Sequence, residues 1–420
     1  MEKLVVRGDP GLRLRGEVRM SGAKNAVLPA IAASLLTAEE VRLTNVPRVK
    51  DVETMLTLVD DLGGSHTADG DAVALRVPRL RSDEASYELV RAMRASVLVL
   101  GPLTARFGKA VVALPGGCAI GSRPVNLHIA GLQKLGARIS LEHGYIRAEA
   151  DRLRGAEIAF EKKTVTGTEN LLMAAALAKG ESILRNCAQE PEVADLADLL
   201  NKMGAKIEWL DEETARVRGV KELGGADHAI IPDRIETGTF LVAGALTGGD
   251  FVVRGVVPAH VASVVDRLRA SGAAVEPAGE GALRVVGAAE VRPQDITTSP
   301  YPGFPTDMQA QFMVLLTQAA GTSIITETIF DRRFSHVNEL VRLGAAIEVQ
   351  GDKAVVKGKT PLSGAEVVAT DLRASAALVL AGLVAAGETT VTEIEHLDRG
   401  YERIEDKLRG LGASIERVPA

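Results

Sequence analysis

The sequence predicts an α/β protein of two domains, assembled from six pseudo-repeats with buried helices. Three observations carry this. The 420 residues exceed what one hydrophobic core ordinarily serves. A short glycine cassette recurs six times at nearly constant spacing. Six further segments are apolar all round and of helical length, the signature of helices packed inside a domain.

The cassettes come first. "LGGS" at Leu62, "LGAR" at Leu135, "MGAK" at Met203, "SGAA" at Ser271, "LGAA" at Leu343 and "LGAS" at Leu411 place glycine at positions 63, 136, 204, 272, 344 and 412. The intervals are 73, 68, 68, 72 and 68 residues. Each cassette ends an amphipathic pattern such as "VETMLTLVDDLGG" or "VADLADLLNKMGA". Glycine there predicts a left-handed C-terminal cap, with a strand such as "ARISLE" or "AKIEWL" to follow. The buried helices are expected at Asn25–Leu36, Ser96–Ala105, Asn170–Ala178, Phe240–Leu246, Gln309–Ala319 and Ala374–Ala386. After each comes a β-rich run, for example "VRLTNV" or "SIITET". One repeat thus holds two helices and several strands. Six repeats divide into two domains of three. The expected division gives 24–231 to one domain, and 1–23 with 232–420 to the other. The crossing lies near "HAIIPDRIET", and an interdomain cleft is the expected active site.

Composition narrows the function. Hydrophobic residues make up 46% and charged residues 25%, with a net charge of −6. That balance points to no nucleic acid and no anionic membrane as partner. The longest apolar stretch, Ala374–Ala386, is too short to span a bilayer, and "MEKLVVRGD" has no signal-peptide run. Two cysteines without metal spacing fit a reducing cytoplasm. No nucleotide-loop or dinucleotide fingerprint appears, so no cofactor and no metal are expected.

Several residues stand out as chemistry. Cys118 sits in the glycine-rich "LPGGCAIGSRPVN", beside Arg123 and ahead of a helix expected to open at Pro124 with Ser122 as cap. A cation and a helix N-terminus both lower a thiol's pKa. Cys187 has no such surroundings and reads as core. Lys24 in "MSGAKNAVLPAI" opens an apolar helix, where the dipole disfavours a cation unless an anion is held there. Arg94 and Arg373 both precede Ala-Ser and a buried helix, 31 and 29 residues after their cassette glycines. They read as pseudo-symmetric, and guanidinium suits phosphate and carboxylate. Arg333 and Arg399 add further cations. Asp307, in "PTDMQAQF" at the start of a buried helix, is the candidate general base, with Asp371 second. His128 reads as a helix-surface residue.

Taken together, "GAKNAVLP", "MRAS", "LPGGCAIG", "PTDMQAQF", "DLRASAAL" and "LDRGYE" resemble the UDP-N-acetylglucosamine 1-carboxyvinyltransferase family of enolpyruvyl transferases, over essentially the whole chain. The resemblance implies the two-domain inside-out α/β barrel of that type, with three βαβαββ-like units per domain and the N-terminal strand packed in the C-terminal half. It implies transfer of enolpyruvyl from phosphoenolpyruvate to the 3'-hydroxyl of UDP-N-acetylglucosamine by addition and elimination, with both as small-molecule substrates. Cys118 would protonate the methylene carbon and be the target of the epoxide fosfomycin. Asp307 would take the hydroxyl proton. Lys24, Arg123 and Arg399 would hold phosphate and carboxylate, with Asn25 beside them. Arg94, Arg123, Pro124, Val125, Asn126, Leu127, Lys163, Thr164, Val165, Thr166 and Ile329 would line the nucleotide-sugar site. Arg333, Asp371 and Arg373 would complete the substrate contacts. Asn126 replaces the family's usual Asp, so an amide that donates stands where a carboxylate only accepts. Two alternatives stay open: enolpyruvyl transfer to another hydroxyl acceptor, and a non-catalytic pseudo-symmetric binding protein.

Overall fold

The computed structural model describes residues 2–114 and 125–420. The chain forms two compact units. An inserted unit spans Gly22 to Ile231, and a discontinuous unit joins the N-terminal residues to Ser21 with Pro232–Ala420.

The inserted unit has three four-stranded sheets around buried helices. Its helices are α1 (Lys24–Ala33), α2 (Lys50–Leu62), α3 (Tyr87–Ala92), α4 (Leu100–Phe107), α5 (Asn126–Lys134), α6 (Val165–Ala176) and α7 (Pro191–Lys202). In the middle sheet Glu84–Ala85 runs parallel to Lys109–Ala113, which pairs antiparallel with Tyr145–Glu149, which pairs with Arg138–Glu142. Parallel neighbours need a crossover, and α4 supplies it. The other two sheets repeat this order. One of them, holding Val41–Thr44, takes its outer parallel strand from Ala226–Ala229 at the far end of the unit. Helices α1 and α6 bury almost every residue, and α4 buries its first five, Leu100 to Thr104.

The discontinuous unit repeats the plan with α8 (Arg234–Thr247), α9 (Ala262–Ala270), α10 (Gln309–Thr317), α11 (Val337–Arg342), α12 (Leu372–Val384) and α13 (Ile404–Gly410). Helices α8, α10 and α12 are its buried set. Strand Glu2–Gly8 lies between Gly387–Thr392 and Ile415–Pro419, antiparallel to both. The next strand, Arg15–Arg19, runs parallel to Asp250–Arg254. The chain leaves this unit after Ser21 and returns at Pro232 to begin α8.

All six cassette glycines have φ between 93° and 116°, the left-handed region that a Cβ disfavours. Each follows an amphipathic helix, which fixes the repeat. The buried helices differ from expectation mainly at their ends. The segment expected at Phe240–Leu246 is the helix Arg234–Thr247, because Asp233 caps it by accepting from the Ile235 and Glu236 amides at 2.8 and 2.9 Å. The helix expected to open at Pro124 begins at Asn126, with Val125 rather than Ser122 at its N-cap.

One buried group makes the inserted unit's stability depend on pH. Glu169, on α6, is 1% exposed and faces Glu190 and Glu192 at the start of α7. Burial first, then the charges of Glu192 and Glu190, push its carboxyl well above the ordinary 4.5. A raised folded pKa means the native state keeps a proton that the unfolded chain releases. Stability is therefore lost as pH rises from the ordinary carboxyl range towards the folded value. Glu169→Gln removes this linkage. Melting scans between pH 4 and pH 9 should show the variant gaining on the parent as pH rises and matching it in acid; parallel melting curves would refute the linkage.

Candidate active site

In the discontinuous unit, three of the singled-out residues converge. Asp307 lies in the 3-10 turn Thr306–Met308 that leads into α10. Its Oδ1 accepts from Arg333 Nη2 at 2.7 Å, and its Oδ2 accepts from Arg373 Nε at 3.1 Å. Both guanidiniums are buried, 5% and 3% exposed, while the Asp307 side chain they share keeps 25% of its surface open. Arg333 also donates to Thr306 Oγ1 at 2.7 Å. Glu327 completes the frame: its Oε2 accepts from Thr306 Oγ1 at 2.8 Å, and its Oε1 accepts from the Ile329 amide at 2.9 Å. One buried carboxylate thereby fixes both the Asp307 turn and the loop carrying Ile329.

Arg373 is placed from behind. Asp371 caps α12, its Oδ1 accepting from the Arg373 and Ala374 amides at 2.9 and 3.0 Å. The guanidinium carbon stands 5.3 Å from the centroid of the Tyr401 ring. The Tyr401 hydroxyl is held by Thr239 Oγ1 at 2.9 Å and by Gln311 Nε2, which donates at 3.2 Å. Arg399 closes the 3-10 helix Ile394–Arg399, two residues before Tyr401, and is half-buried. His336, 1% exposed, is pulled down to about 4 by burial, opposed by Asp371 and reinforced by Arg333. It is neutral at pH 7 and adds no charge to the cluster.

In the inserted unit, Lys24 is the first residue of α1 and is buried, with Nζ 2.6 Å from Asp51 Oδ2. The anion that the sequence asks for at this helix end is thus, in part, a carboxylate of the same unit. Asn25 follows it, half-buried. Arg94 opens the 3-10 helix Arg94–Val99 ahead of α4, whereas Arg373 lies within the first turn of α12. The two arginines are therefore similar in register but not identical in local structure.

Lys163 pairs with Glu213 at 2.5 Å, and Thr164 caps α6, its Oγ1 accepting from the Gly167 amide at 3.2 Å. Val165 and Thr166 form the first turn of that helix, and Val125, Asn126 and Leu127 the start of α5. Cys118, Arg123 and Pro124 lie outside the described residues. Among the described residues, no group of three His, Cys, Asp or Glu could hold a metal, and no helix is long and apolar enough to cross a membrane.

His128 corrects the sequence reading. It is not on the helix surface but 3% exposed, between α5 and α6. Its Nδ1 is 2.9 Å from Asn170 Nδ2 and its Nε2 is 3.3 Å from Thr166 Oγ1. Thr306, Glu327, Tyr401 and Asp51 were also not singled out by sequence. Of these, Tyr401 lies in "LDRGYE", and its neighbour Arg399 was the available signal.

The family model for EPSP synthase (3-phosphoshikimate 1-carboxyvinyltransferase) matches residues 9–408. A protein of Koribacter versatilis named UDP-N-acetylglucosamine 1-carboxyvinyltransferase is 57% identical over 100% of this chain and 97% of its own length. One of the same name from Solibacter usitatus is 57% identical, covering all of both chains. Among solved structures, the enolpyruvyl transferase NikO from Streptomyces tendae superposes with a TM-score of 0.89 at 27% identity, over 100% of this chain and 99% of its own. EPSP synthase from Acinetobacter baumannii, at 17% identity and a TM-score of 0.75 over the full length of both chains, shares the fold. Paired along its whole length with relatives of that name at well over half identity, the chain belongs to the UDP-N-acetylglucosamine 1-carboxyvinyltransferase family of enolpyruvyl transferases.

Proposed function

We propose that Cys118, Asp307, Lys24 and Arg399 carry the chemistry of an enolpyruvyl transfer from phosphoenolpyruvate to the 3'-hydroxyl of UDP-N-acetylglucosamine. The observation that supports this best is the Asp307 carboxylate gripped by two buried guanidiniums. Such a frame fixes the carboxylate at one point and angle for a single sugar hydroxyl, so what it contributes to proton removal is orientation, since neighbouring guanidiniums weaken a carboxylate as a base rather than strengthen it. Two guanidinium bonds do not exhaust a carboxylate, which has about four acceptor positions.

The steps balance as follows. The Cys118 thiol gives a proton to the methylene carbon of phosphoenolpyruvate, and the 3'-oxygen bonds to the adjacent carbon as Asp307 takes the hydroxyl proton. This yields a tetrahedral intermediate that still bears phosphate. The Cys118 thiolate then takes a proton back from the new methyl group as the carbon–oxygen bond to phosphate breaks, which restores the double bond on the sugar ether, and Asp307 passes its proton to the leaving phosphate. Lys24, Arg123 and Arg399 offset the charge of the trianionic substrate and the leaving phosphate. Asp51 helps to keep Lys24 cationic where burial alone would penalise its charge. Arg94, Asn25, Val125–Leu127, Lys163–Thr166 and Ile329 belong to the nucleotide-sugar contacts. Arg333, Asp371 and Arg373 complete the substrate contacts, with Arg333 and Arg373 also framing Asp307. The product feeds peptidoglycan synthesis as its first committed step, and the protein works in the cytoplasm, where both substrates occur.

Phosphate release from phosphoenolpyruvate tests this reading. Release is expected with UDP-N-acetylglucosamine, and none with shikimate 3-phosphate. Release with a different hydroxyl acceptor alone would move the substrate assignment. No release with any acceptor would leave a binding protein.

A further inference from the structure

His128 lies outside every role given so far, yet its hydrogen bonds are fully determined. The Asn170 side chain cannot be turned round: its Oδ1 accepts from the Gly101 amide at 2.6 Å, and its Nδ2 donates to the Val97 carbonyl at 3.0 Å. A backbone N–H only donates and a backbone carbonyl only accepts, so oxygen and nitrogen of the amide are assigned without choice. The same Nδ2 stands 2.9 Å from His128 Nδ1. Nitrogen Nδ1 must therefore accept, and it carries no proton. A neutral imidazole then bears its proton on Nε2, which points at Thr166 Oγ1, 3.3 Å away. Burial pulls His128 down to about 4, which agrees with a neutral ring.

The consequence falls on Thr166. Its hydroxyl oxygen receives the imidazole proton, so its own proton is directed elsewhere. Thr166 sits in the first turn of the twelve-residue α6, where backbone amides and the helix dipole favour an anion. We propose that His128 is a positioning residue for the nucleotide-sugar substrate: through Thr166 it sets a hydroxyl donor toward the diphosphate of UDP-N-acetylglucosamine. This rests on the assignment of Lys163–Thr166 to that substrate. The relay starts at the Gly101 amide of α4, passes through α6 and α5, and returns to the first turn of α6. Three helices of the inserted unit thereby fix the orientation of one hydroxyl.

The test is steady-state kinetics on the full chain, with each substrate varied in turn. His128→Leu removes the donor. It should raise KM for UDP-N-acetylglucosamine about tenfold, the scale of one hydrogen bond to a charged group, while KM for phosphoenolpyruvate and kcat stay within about twofold. His128→Gln, whose amide nitrogen donates from nearly the same place, should restore most of the loss. Thr166→Val should match His128→Leu, and the double variant should be no worse than either alone. Additive effects, or an unchanged KM in His128→Leu, overturn the relay. If Thr166→Val leaves KM for the nucleotide sugar unchanged, the substrate assignment itself fails, which is a distinct outcome. Should His128→Leu not fold, 15N shifts of the parent decide: a bare Nδ1 with a protonated Nε2 is expected, and the reverse tautomer ends the proposal.

Discussion

Asp307→Asn should lower kcat by roughly 10²–10⁴-fold, the scale of a lost general base, while the chain stays folded. The amide keeps the shape of the carboxylate and one acceptor oxygen, so one of its two guanidinium partners retains a bond. The other meets an NH₂ group. Asp307→Ala is harsher, because it strips the shared anion from Arg333 and Arg373, which are 5% and 3% exposed. Breaking a buried ionic contact from one side costs about 3–5 kcal/mol. Its melting temperature should therefore fall well below that of Asp307→Asn. Activity and melting separate the chemical role from the structural one. Thr306→Val is the control: it removes the hydroxyl that receives Arg333 and donates to Glu327, yet leaves the carboxylate in place. It should cost less in kcat than Asp307→Asn. If Asp307→Asn turns over within a few-fold of the parent, Asp307 is a strut for two arginines and another group takes the proton.

That contrast shows what a linear sequence can and cannot disclose here. The repeat was legible because each copy writes its own local signals: an amphipathic helix, then a glycine whose φ near 100° needs no distant partner. The buried helices were legible for the same reason, since an unbroken apolar run declares burial without naming its neighbours. Polar pairing carries no such signature. Asp307 meets Arg333 at a separation of 26 residues and Arg373 at 66, and nothing in "PTDMQAQF" says that both close on one carboxylate. His128 was misplaced for a related reason. A single histidine among Leu127 and Ile129 gives no sign of which way it faces, and the amide that buries it sits 42 residues away. Lys24 stands out in the sequence as a cation at the start of an apolar helix. That Asp51 contributes an anion beside it could be read only once α1 and α2 were seen side by side. Helix ends followed the caps: where Asp233 or Asp371 accepts from the first-turn amides, the helix starts earlier than its apolar run.

Fosfomycin should modify this protein at Cys118 and spare Cys187, and the described thiol is what makes the forecast sharp. Ring opening needs a thiolate: the sulfur bonds to an epoxide carbon, the carbon–oxygen bond breaks, and the alkoxide takes a proton. Cys187 is 0% exposed, with Sγ donating to the Leu184 carbonyl at 3.5 Å. Burial pushes its thiol up to about 12, so at pH 7 only roughly one part in 10⁵ is thiolate. Even that fraction lies where an epoxide cannot reach without local opening. Cys118 is the other cysteine of the chain, in a glycine-rich segment that carries an arginine five residues on, and a cation close to a thiol lowers its pKa rather than raising it. Intact-mass analysis should show one adduct on the parent, one on Cys187→Ala and none on Cys118→Ala. Phosphoenolpyruvate turnover should be lost by Cys118→Ala and kept by Cys187→Ala, because removal of a buried thiol takes no acid from the reaction. An adduct on Cys118→Ala formed as fast as on the parent would mean that the buried sulfur is reached and ionised. That would contradict the packing of Cys187 as well as the role of Cys118, since both follow from the same rule: a thiol reacts to the extent that its surroundings let it lose a proton and meet its target.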